Sequence, residues 1–84
     1  MERSEAEKLV NKTLIELDGE RARTVGLVAT TPFKAFDSLV GLEVGVALRE
    51  AGVLETDISE EELDQVYLTG TLGDVYDIAE RYLP

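Results

Sequence analysis

The sequence predicts a small all-α fold, a four-helix bundle with one long connection between helices one and two and a short third helix. Three observations carry that expectation. Apolar residues recur at helical spacing in four segments, capping residues stand just ahead of each, and the one segment that could be extended has no evident strand to pair with. The 84 residues make a single domain, 1 to 84, near the size at which folding hides only about 60% of the unfolded chain's surface.

The first helix is expected over about 4–18. Ser4-Glu5-Ala6-Glu7 reads as a capping box, Ala6, Leu9, Val10, Leu14 and Leu17 form the stripe, and Gly19 is the stop. Residues 20–36 carry no helical period and contain Gly26 and Pro32, so they read as a long ordered loop. Val25, Leu27, Val28 and Phe33 are the candidates to pin it, and residues 25–30 form a strand in the alternative reading. Asp37 is placed to cap a second helix over about 38–51, closed by Gly52. Ser59-Glu60-Glu61-Glu62 announces a third helix over about 59–68. Thr71 caps a fourth, about 72–83, with Asp74 in its first turn and Leu72, Val75, Ile78, Ala79 and Leu83 on its apolar face.

Composition narrows the function classes. The chain holds no Cys, His or Trp, which removes the usual nucleophile, base and soft metal ligands and argues against an enzyme or a metal site. With no signal-peptide pattern and no long apolar run, a cytoplasmic, monomeric protein is expected. The formal charge of -10 is one-sided. Residues 1–36 balance six acids against six bases, whereas residues 37–84 hold twelve acids against Arg49 and Arg81. Such a half repels nucleic acid and anionic membrane and attracts basic protein surfaces.

The second helix carries more apolar residues than a small bundle needs. At about 100° per residue, Val40, Val44, Ala47, Leu48 and Ala51 face one way and suffice for the core. Leu39, Leu42 and Val46 form a second stripe flanked by Glu43 and Glu50, either buried against the long loop or offered to a basic, partly apolar partner. Gly41 and Gly45 lie between the two arcs. Two interior glycines cost on the order of 1 kcal/mol each, so close approach of another group is their expected purpose.

At this point the chain resembles the acyl and peptidyl carrier proteins. Phe36-Asp37-Ser38-Leu39 is similar to that family's Asp-Ser-Leu attachment motif at the start of its second helix. The likeness continues through Val40-Gly41-Leu42-Glu43-Val44, Ala47-Leu48, Ile58-Ser59-Glu60-Glu61 and Thr71-Leu72-Gly73-Asp74-Val75. The resemblance implies that a phosphopantetheinyl transferase attaches 4'-phosphopantetheine from coenzyme A to Ser38, with Asp37 and Leu39 beside it. It further implies that Leu42, Glu43, Val46 and Glu50, joined by Glu60 and Glu61, dock acyl-loading and acyl-processing enzymes through basic surfaces. The protein would then hold a thioester-linked intermediate of fatty acid, polyketide or other specialised biosynthesis without breaking bonds itself. Lys34-Ala35, Val40 and Arg49 depart from the family pattern and point away from bulk fatty acid synthesis. An aminoacyl or peptidyl carrier, or an unmodified acidic interaction module, are the alternatives.

Overall fold

A computed structural model describes residues 1–51 and 60–83. Among these the chain forms four helices, α1 (Arg3–Val25), α2 (Ser38–Glu50), α3 (Glu60–Thr69) and α4 (Leu72–Tyr82), with a 3-10 turn at Phe33–Ala35 ahead of α2. α1 packs on both α2 and α4, while α3 packs on the 3-10 turn and α2. The fold is the small four-helix bundle that the sequence predicts.

The core follows from the stripes. Ala6, Val10 and Leu14 of α1, Val40, Val44 and Leu48 of α2, and Leu72, Val75, Ile78 and Ala79 of α4 are all buried, with Phe33 and Phe36 between them. Ala47 is only half-buried and Ala51 is exposed, so the core-facing arc of α2 is narrower than its wheel suggests.

Helix α1 departs from expectation at both ends. It begins at Arg3, so Ser4 lies inside the first turn and the Ser4–Glu7 capping box is not formed; Glu2 stands at the cap without a side-chain hydrogen bond. Tertiary anchors override the local signal here. Arg3 pairs with Asp77 and Glu80 of α4 and lies over the Tyr76 ring at 5.5 Å from its centre. At the other end Gly19 does not stop the helix. The backbone breaks at Asp18 (φ -154°, ψ 73°) and then resumes to Val25, with Asp18 Oδ1 accepting the Arg21 amide at 3.1 Å and so capping the second piece. That piece buries Ala22 and ends where Gly26 takes φ +82°, a left-handed conformation glycine adopts without strain.

The first connection is therefore shorter than 20–36, and residues 25–30 form no strand. Its pins are only partly those expected. Phe33 is buried and Val25 and Leu27 pack against the core, but Val28 is 56% exposed. Backbone pairing does the rest: the Phe33 amide donates to Gly70 O (3.1 Å), Leu72 to Thr31 O (2.8 Å) and Gly73 to Ala29 O (2.9 Å). The connection is thus sewn to the α3–α4 corner, where Thr71 stands at the N-cap as the sequence expects and Asp74 Oδ2 accepts its amide at 2.9 Å. The predicted cap at Ser59 and the stop at Gly52 lie outside the described residues.

Tyr76 is buried between α1 and α4, and its hydroxyl donates to Asn11 Oδ1 at 2.5 Å. Burial pushes the phenol above its ordinary value, with the Glu7 charge adding to the rise and Arg3 opposing it. A raised folded-state value means the folded chain holds the proton more tightly than the unfolded one. This contribution is complete below about pH 10 and is lost as pH climbs through the folded value. The melting temperature should fall in that alkaline window, and Tyr76→Phe should flatten the fall while lowering the neutral-pH value. An equally steep alkaline limb in the variant would contradict the assignment.

Candidate functional site

Ser38 is the first residue of α2 and is exposed. The turn that presents it is built by Asp37, whose backbone is extended and whose Oδ1 accepts the Val40 amide at 3.0 Å while its carbonyl accepts Gly41 N at 3.1 Å. These bonds satisfy two first-turn donors; the Ser38 and Leu39 amides are ones the helix ladder itself cannot use. Removing the cap with Asp37→Ala should cost about 1 kcal/mol in urea unfolding. Asp37→Asn keeps an acceptor oxygen at the same reach and should recover most of that loss; an Asn variant as unstable as the Ala one would deny the capping role.

From Ser38 a groove of about 470 Å³ runs between α2 and α3. One wall is Ser38, Leu42, Val46 and Arg49 of α2; the other is Leu63, Asp64, Tyr67 and Leu68 of α3. The glycines make its floor. A Cβ on Gly41 would stand 2.6 Å from Tyr67 Cδ1, and one on Gly45 would stand 2.9 Å from Leu63 Cδ1. What approaches α2 at the glycines is therefore a pair of α3 side chains. Tyr67 is fixed by more than the groove, because its hydroxyl donates to Phe36 O at 2.6 Å and its ring meets Phe33 edge-on, 5.4 Å between centres.

The second α2 stripe faces outward. Leu39 is 60% exposed, Leu42 65% and Val46 45%, and Leu68 across the groove is 60% exposed, so the alternative of burial against the first connection is not what occurs. Leu42 and Val46 share the groove wall with Ser38, whereas Leu39 stands beside it on the open face. Glu43 and Glu50 are exposed; by helical angle they flank the stripe on the side away from the groove. Asp37 and Glu61 are exposed too. Glu60 opens α3, and its side chain lies outside the described residues.

Sequence reading missed the α3 wall. Leu63, Asp64, Tyr67 and Leu68 carry no motif. Their one trace is the i,i+4 spacing of Gly41 and Gly45, which marks a facing element without naming it.

An exposed hydroxyl at a capped helix start, opening on a groove lined mainly by apolar side chains with Arg49 and Asp64 among them, can accept a group and lay it along α2. Among the described residues no helix is long and apolar enough to cross a membrane. No protein-family model, curated protein or solved structure matches this chain.

Proposed function

We propose that the chain is an acyl carrier protein, carrying thioester-linked cargo on a 4'-phosphopantetheine arm attached to Ser38. The observation that carries this reading is the position of Ser38, exposed at the capped start of α2 and at the mouth of the α2–α3 groove. A phosphodiester there is favoured by the first-turn amides and by the positive end of the helix dipole. The arm would supply a terminal thiol, which this cysteine-free chain lacks.

In the loading reaction Ser38 Oγ would form the new phosphoester bond, its proton passing to a base of the transferase while the nucleotide half of coenzyme A leaves. Asp37 holds the helix start and Leu39 flanks the reacting hydroxyl. Leu39, Leu42 and Val46, flanked by Glu43 and Glu50, form a face suited to a partner that is basic at its rim and apolar at its centre. Glu60 and Glu61, at the start of α3, would extend its acidic edge. Departures from the family pattern at Lys34-Ala35, Val40 and Arg49 favour a specialised biosynthetic pathway in the cytoplasm over bulk fatty acid synthesis.

The test is intact mass after incubation with coenzyme A and a transferase of broad specificity. The expected result is a gain of one phosphopantetheine per chain. A chain that stays at its unmodified mass with several such transferases would overturn the proposal, and binding of a basic partner by that unmodified chain would support the interaction module instead.

A further inference from the structure

We propose that Tyr67 is a positioning residue for Ser38, an inference that rests on the carrier reading. Tyr67 does not need to touch the serine to control it. Its hydroxyl holds the carbonyl of Phe36, two residues before Ser38, and its ring lies against Gly41, three residues after. One side chain of α3 therefore brackets the turn that presents the hydroxyl. The first residue of a helix is secured by the ladder only through its carbonyl, so a hold on both flanks decides how freely that residue moves.

The bracket is itself braced. Phe33 meets the Tyr67 ring edge-on, and the Phe33 amide ties the end of α3 through Gly70 O. Tyr67 also lines the groove that starts at Ser38. Displacement of α3, by a partner or by a group lying in the groove, must then either carry the Ser38 turn with it or break the bond to Phe36. The serine and the groove are mechanically one unit, and Tyr67 is the link.

The decisive variant is Tyr67→Phe, which keeps the ring on Gly41 and Phe33 and deletes only the hydrogen bond. Misplacing a reacting group by about 1 Å can cost on the order of a hundredfold. We expect kcat for phosphopantetheine transfer from coenzyme A to fall by about tenfold or more, with the KM for the protein nearly unchanged, because the docking face is intact. Amide exchange at Val40 and Gly41, whose amides are bonded to Asp37, should speed up while that at Ile78 and Ala79 of α4 does not.

Tyr76→Phe is the control, since it removes a comparable phenol hydrogen bond far along the chain from the serine, and it should leave kcat at the wild-type value. Equal kcat in Tyr67→Phe and wild type, or faster exchange spread evenly over α2 and α4, would overturn the inference. A wild-type chain that accepts no phosphopantetheine would instead sink the carrier reading. The exchange pattern would still decide whether Tyr67 holds the turn.

Discussion

Gly41→Ala is expected to destabilise the fold by about 1–3 kcal/mol, against the ordinary preference of a helix for alanine over glycine by about 1 kcal/mol. The reversal comes from what the added methyl would meet. Its Cβ would lie 2.6 Å, 3.0 Å and 3.3 Å from three atoms of the Tyr67 ring. That ring has little room to yield, because its hydroxyl is bonded to Phe36 O and its edge rests on Phe33. Either α3 moves away from α2 or the bond to Phe36 breaks, and the Ser38 turn loosens in both cases.

Two other glycines calibrate the claim. At Gly45 the close atom is Leu63 Cδ1, 2.9 Å away, the far end of a half-buried side chain that can change rotamer, so Gly45→Ala should be near neutral. At Gly19 the nearest atom is Ile15 Cγ2 at 3.9 Å, an ordinary contact, and no positive φ forbids a side chain there. Gly19→Ala should stabilise by about 0.5–1 kcal/mol. Urea midpoints of the three variants, taken with a common slope, would show the order; a Gly41→Ala protein as stable as wild type would mean the α2–α3 contact is looser than described.

The order of the glycines also shows which parts of this molecule its sequence makes legible. Periodicity found four helices because each buries one face, and the caps at Asp37 and Thr71 were readable because a capping carboxylate acts within three residues of its target. Leu39, Leu42 and Val46 could be placed on one side of α2 from helical angle alone. What local pattern could not supply was anything decided between segments. The extension of α1 past Asp18 depends on burying Ala22, and its start at Arg3 depends on Asp77 and Glu80, more than 70 residues away. The α3 wall of the groove is hidden for the same reason. Tyr67 is conspicuous only once Phe36 and Gly41 are known to lie beside it.

Ser38→Ala is expected to abolish modification outright while leaving stability within about 0.5 kcal/mol of wild type. The two halves of this prediction support each other. Ser38 is exposed, and the cap that starts α2 belongs to Asp37, so deleting one surface oxygen removes no structural bond and a loss of modification would not reflect unfolding. Ser4 provides the internal comparison. It too is exposed and sits in the first turn of a helix, yet its surroundings differ. Glu2 caps α1 without a side-chain bond, and the shallow face beside Ser4 is lined by Lys8, Lys12 and Glu16 with Ile15 as its one large apolar side chain. If a helix start alone made a serine an acceptor, Ser4 would be modified as readily as Ser38. We expect Ser4→Ala to take up one phosphopantetheine like wild type, and peptide mapping of the wild-type adduct to place it between Phe36 and Arg49. Modification surviving in Ser38→Ala, or an adduct mapped to Ser4, would show that the groove and the Asp37 turn do not select the site.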